Sequence, residues 1–116
     1  MPIPIEDQHL WWFRQLHDVL LEFADAPDNV LRRLGQVNVP EDLAGTFRES
    51  LKSIRSTYPE EVAPELLGVA RAVDEVLSAK SLRGAGFEYE FWTNPAFRDH
   101  PEWSRVRNIC RAFLLK

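Results

Sequence analysis

Cysteine is nearly missing from this chain. Cys110 is the only one, so no internal disulfide can form and no multi-cysteine zinc site can be built, and a reducing compartment suits it best. Histidine is almost as scarce, with three residues. The pair His17-Asp18 therefore falls short of a metal-dependent hydrolase, whose ligands converge from several histidines and aspartates over a longer chain. Glycine occurs five times. Its one cluster, Arg83-Gly84-Ala85-Gly86, lacks the third glycine of a dinucleotide loop and follows no strand, so no phosphate cofactor is implied. The N-terminus MPIPIEDQHL has no basic start, no long apolar run and no small-residue cleavage site, which reads as a cytoplasmic protein with neither signal peptide nor membrane anchor. Positive charge is also in deficit. Fourteen Lys and Arg stand against eighteen Asp and Glu, a formal charge of -4, whereas nucleic-acid binders carry a basic face that replaces phosphate counterions. Nucleic acid is not an expected ligand.

What the chain does have is helical periodicity. With 116 residues, 45% hydrophobic and 28% charged, it has the size and make-up of one ordinary folded domain, 1-116. Over residues 6–24 the apolar Trp12, Leu16, Val19, Leu20 and Phe23 share one helical face, and the opposite face carries Trp11, Gln15, Asp18 and Glu22. Trp11 is thus stranded among polar neighbours and is a poor core residue. The run DNVLRRLG predicts a short corner helix capped near Asp28 and stopped by a left-handed Gly35. A third helix over about 41–57 follows Pro40, with Leu43, Phe47, Leu51 and Ile54 in register, closed by Tyr58-Pro59. A fourth starts at Pro64 and stacks Leu66, Val69, Ala70, Val73, Val76 and Leu77.

The last block, residues 87–116, holds two of the four tryptophans. FEYEFW alternates apolar and acidic residues as a half-buried strand does, yet no second strand-like segment is available to pair with it. An extended connector and a helical one fit equally well. Asn94-Pro95 reads as a cap with a short turn through Arg98, and Asp99-His100-Pro101-Glu102 as an acid-capped variant of the capping box. The final helix then buries Trp103, Val106, Ile109, Cys110 and Phe113, leaving Arg105, Arg107, Asn108 and Arg111 to the other side. The expected fold is all-α, a bundle of about five helices with an irregular connector near 83-94.

No catalytic, cofactor or metal site emerges. Glu6-Asp7-Gln8-His9 has the E-x-x-H spacing of a di-iron bundle, which needs a second copy and two more glutamates, and neither is present. Cys110 beside Ile109 and Phe113 is expected to be buried with a raised thiol pKa, a core residue and not a nucleophile paired with His100. Three arginines on the last helix are explained by the dipole at its C-terminus. The chain is not expected to be an enzyme. The remaining signal is at the surface: Trp11 rides with Asp18 and Glu22, and Glu88, Glu90 and Trp92 share one side of the connector if it is extended. Residues 58–102 carry nine acids against four bases. Aromatic anchors ringed by carboxylates suit capture of a basic protein, and six residues, Glu88, Glu90, Trp92, Trp11, Asp18 and Glu22, are the candidate contacts.

The run NPAFRDHPEWSRVRNICRAFL, through Asn94-Pro95, His100-Pro101-x-Trp103 and the closing helix, resembles the C-terminal part of small bacterial helical proteins encoded beside polymorphic toxins. These are the immunity proteins of contact-dependent growth inhibition and related systems. The resemblance implies a cytosolic binder that neutralises a toxin domain, often a nuclease, and it transfers no individual site residue. A helical adaptor or regulatory subunit for another protein partner is the alternative.

Overall fold

The structure, a computed structural model, describes residues 5–57, 63–82 and 84–115, with side chains described from residue 11 and not at residue 57. Among these residues the fold is all-α: α1 (Ile5–Ala24), α2 (Pro27–Leu34), α3 (Val39–Thr57), α4 (Pro64–Ala79), a 3₁₀ turn (Tyr89–Trp92), α5 (Asn94–Asp99) and α6 (Pro101–Leu114). The side chains of Glu6 to His9 and the Tyr58-Pro59 stop lie outside the described residues. Helix α1 packs on α3 and α6, and α6 also packs on α4. The short α5 and the 3₁₀ turn cover one end, against α3 and α6.

Most of the expected stripe positions go inside, while Trp12, Leu66, Val69, Ile109 and Phe113 are only partly buried against the core. Leu16, Val19, Leu20 and Phe23 of α1 meet Leu43, Phe47, Leu51 and Ile54 of α3 and Ala70, Val73, Val76 and Leu77 of α4 in one buried cluster. Apolar area removed from water at helical spacing is what selects these helices, since propensity alone is a weak determinant. Helix α3 begins where Asn38 caps it, its Oδ1 accepting from the Glu41 backbone N–H at 3.2 Å.

Trp103 is the centre of the core. It is 1% exposed, stacks on Phe91 at 4.6 Å with 8° between the planes, and meets Phe97 edge-on at 5.1 Å. Phe23 of α1 approaches it at 5.9 Å. Its indole N–H donates to the Phe91 carbonyl at 2.8 Å, so the one polar atom of a buried ring is satisfied.

Several local expectations give way. Ala26, not Asp28, precedes the first turn of α2, because Asp25 Oδ1 already takes the Ala26 N–H at 2.8 Å and Pro27 supplies the first position. Gly35 ends that helix at φ -66 and not in the left-handed region, since the chain turns there with Val37 N–H donating to the Leu34 carbonyl. Thr93, not Asn94, caps α5: Thr93 Oγ1 accepts from Ala96 N–H at 3.3 Å. Asn94 is freed to lace the start of α5 to the start of α3, accepting from Val39 N–H at 2.9 Å and donating to the Val37 carbonyl at 3.1 Å. His100, not Asp99, caps α6, its Nδ1 accepting from Glu102 N–H at 3.0 Å, while Asp99 pairs with Arg98. Arg107, read as surface, is 7% exposed. Its guanidinium turns inward to donate to the Phe97 carbonyl at 2.9 Å, at the C-terminal end of α5, and lies over the Phe97 ring.

Candidate partner-binding groove

After α4 the chain folds back on itself. Gly84 N–H donates to Ser81 O at 2.8 Å and Gly86 N–H to Ala79 O at 2.9 Å. A Cβ at Gly84 would collide with the carbonyl oxygens of Ser78 and Ala79, so only glycine allows this return. Ser81 locks the corner from its side chain, donating to Leu77 O at 2.7 Å and accepting from Arg48 Nη2 of α3 at 2.6 Å.

Residues 87–92 are neither a strand nor an α-helix. Glu88 is extended, at φ -146 and ψ 108, and a 3₁₀ turn begins at the next residue. Period three instead of two turns Phe91 inward onto Trp103 and leaves Phe87 45% and Tyr89 77% exposed. Leu82 beside them is 78% exposed. The loop is braced from beneath. Trp92 donates its indole N–H to Lys80 O at 2.6 Å, and its carbonyl accepts from Asn38 Nδ2 at 2.7 Å. Glu88 bridges Lys80 Nζ at 3.1 Å and His100 Nε2 at 2.7 Å. Because His100 Nδ1 accepts the Glu102 N–H, that nitrogen carries no proton, and Nε2 holds it and donates to Glu88. The hydrogen bond from Lys80, then that from His100, holds the Glu88 carboxyl below its ordinary value.

Between this loop and α3 lies a groove of about 490 Å³. Ala44 and Gly45 form its floor, and Leu82, Phe87, Tyr89 and the edge of Trp92 form its wall. Glu41 and Arg48 flank it on α3. Glu90, exposed, faces the adjoining hollow lined by Thr93, Pro95, Ala96, Asp99 and His100. Among the described residues neither Glu41 nor Glu90 has a side-chain ion pair.

Comparison with protein-family models, curated proteins and solved structures gives no match.

The connector residues singled out from sequence are gathered here, in different roles from those expected. Glu88 and half-buried Trp92 brace the loop, and Glu90 is the member turned outward. Trp11, Asp18 and Glu22 remain on α1. Trp11 is 41% exposed and lies edge-on to Trp12 at 4.6 Å; Asp18 is exposed beside His17. Glu22 is taken by Arg33, which reaches it at 2.7 and 3.0 Å and holds Asp25 at 2.9 Å. These three residues therefore do not form one free acidic patch. The sequence reading missed Leu82, Phe87, Tyr89, Glu41, Gly45 and Arg48. The signal for the aromatic pair was the alternation itself, since Phe87 and Tyr89 share a parity opposite to Glu88 and Glu90.

Elsewhere, Cys110 is fully buried on α6 and burial pushes its thiol up to about 12. Among the described residues no three His, Cys, Asp or Glu side chains are placed to hold a metal ion, and no helix is long and apolar enough to cross a membrane.

Proposed function

We propose that this chain is an immunity protein, a cytoplasmic stoichiometric inhibitor that occludes a cationic toxin domain of nuclease type without turnover. The observation that carries the reading is the braced ledge of Leu82, Phe87 and Tyr89, exposed beside the carboxylates Glu41 and Glu90, which have no ion pair among the described residues. Contiguous apolar surface held out to water marks a contact site on a folded domain, and large rings there provide desolvated area at little conformational cost. Carboxylates around such an anchor add steering and register toward a basic partner. A nuclease cleft is cationic because it must hold phosphate, so an acidic protein can block it without chemistry. The resemblance read from the sequence of Asn94 to Leu114 is the reason to name a toxin as that partner.

The experiment is co-expression with the C-terminal domain encoded by the neighbouring upstream gene, followed by pull-down and growth rescue. Rescue by the intact chain, and its loss in a folded Leu82→Ala/Tyr89→Ala double variant, is the expected result. A neighbouring domain that is harmless when expressed alone would overturn the toxin assignment in favour of a helical adaptor. Rescue undiminished in the double variant would move the contact to another face, with Trp11, Asp18 and Glu22 next in line.

A further inference from the structure

The groove has a polarity that the ledge alone does not reveal. Glu41 and Arg48 are seven residues apart on α3, two helical turns, or roughly 10 Å along the axis at 1.5 Å per residue. Glu41 has no ion-pair partner among the described residues, and the recorded bond of the Arg48 guanidinium is to the neutral Ser81 hydroxyl. Among the described residues, one end of the groove thus carries a carboxylate and the other a guanidinium, neither of them in an ion pair.

Its floor is equally particular. Gly45 stands inside the nineteen-residue α3, where glycine weakens a helix. No left-handed backbone requires it, and a Cβ there would meet nothing within 4 Å. Packing within the chain does not explain the missing side chain. Gly45 lines the same groove as Ala44, Leu82, Phe87 and Tyr89.

We infer that this groove is the seat of a two-turn stretch of partner helix, whose apolar anchor lies over Gly45 between a basic side chain at Glu41 and an acidic one at Arg48. The inference deepens, and rests on, the partner-binding reading above. Residues at i, i+3 or i+4, and i+7 of a helix share one face and match the spacing of the two charges. A groove of about 490 Å³ suits a few side chains rather than a folded lobe. The basic residue's alkyl stem can lie along Tyr89, placing its charge near the ring face.

The test uses the full chain, ¹⁵N-labelled, titrated with three lactam-bridged helical 14-residue peptides in an alanine and glutamine host. The first carries Arg, Leu and Glu at i, i+4 and i+7; the second replaces Leu by Ala; the third replaces Arg by Glu. The first should shift the Gly45 amide and the Trp92 indole N–H, and each of the others should bind at least tenfold more weakly. Gly45→Phe, which fills the floor, should abolish the shifts with helicity unchanged. Gly68→Ala is the control, because Gly68 is an exposed glycine of α4 with open space around it, and it should bind as the parent does. If Gly45→Phe fails to fold, Glu41→Lys takes its place, with at least a fivefold loss expected. Shifts mapping to another face, equal binding of all three peptides, or none binding at millimolar concentration would overturn the inference. The two readings fail separately. Growth rescue retained in Gly45→Phe sinks the groove while leaving immunity standing, whereas selective peptide binding without any rescue sinks immunity and leaves the groove.

Discussion

Trp103 and Arg107, four positions apart on α6, show two ways in which a single side chain can hold this fold. Trp103 contributes area: truncation to alanine should cost about 3–5 kcal/mol, as large core deletions do, read as a shift of the urea midpoint. Trp103→Phe keeps most of the ring contact and loses the hydrogen bond to the Phe91 carbonyl. Its expected cost is about 1–3 kcal/mol, the penalty of an orphaned buried acceptor. Arg107 contributes direction. No carboxylate pairs with it among the described residues, and burial, then Arg111, draws its pKa below the usual arginine value. What holds it is the Phe97 carbonyl at Nη2, the Ser104 hydroxyl at Nη1 and the Phe97 ring beneath, a fork-and-plane geometry that a lysine ammonium cannot reproduce. Arg107→Lys should therefore destabilise by about 1–3 kcal/mol in the same urea measurement. Trp103 was legible in the sequence because its helical spacing to Val106 and Cys110 is a local property. Arg107 was not, because the carbonyl that draws it inward belongs to another helix and is brought there only by the tertiary fold.

The elements divide along the same line. Long stripes in α1, α3, α4 and α6 announce themselves, since burial at period 3.6 is written into residues a few positions apart. Caps and the connector are harder to read. Thr93 displaced Asn94 because the segment leading into α3 claimed the Asn94 amide, and His100 displaced Asp99, whose carboxylate pairs with the adjacent Arg98. The 3₁₀ turn followed from the demand of Trp103 for a stacked Phe91, which no window of six residues contains. Two predictions belong here. Glu88 is held below its ordinary carboxyl value of 4.5 by Lys80 and His100, so the brace contributes fully above that pH and is lost as pH falls below it. Exchange of the Trp92 indole N–H should accelerate below about pH 4.5, and Glu88→Gln should exchange fast at neutral pH with that acid dependence gone. Gly45→Ala should raise stability by about 0.5–1 kcal/mol, since a helix interior prefers alanine and the added methyl has room. Gly84→Ala should lower it through the clash with the Ser78 and Ala79 carbonyls. Thermal melts of the two variants would check both signs together.

At the scale of the whole molecule, the all-α class was legible because the sequence offers several helical stripes and no partner for its one alternating segment. Which helices pair was not, because face and length match α1 to α3, α4 or α6 almost equally well. The chosen arrangement places Cys110 at 0% exposure with its thiol pushed up to about 12, which makes it a reporter of global opening. A thiol reagent at pH 8 should modify the native protein no faster than the chain unfolds, and in denaturant it should modify it immediately. Modification well above the unfolding rate would mean that α6 detaches on its own.

The packing of α6 on α1 joins segments from opposite ends of the described chain. Trp103 cannot meet Phe23 until about eighty intervening residues have been gathered in. Nucleation is thereby tied to a long loop closure, and folding should be slow for a helical protein of this size. While the chain is being made, Phe23, packed on Phe47, must wait without its largest neighbour. The same distance suggests a use for the joint at Gly84 to Gly86. Two fragments cut there would each hold half of an aromatic core and should recover a fold only by finding one another, so the intact chain can be recast as a split pair whose reassembly is the signal.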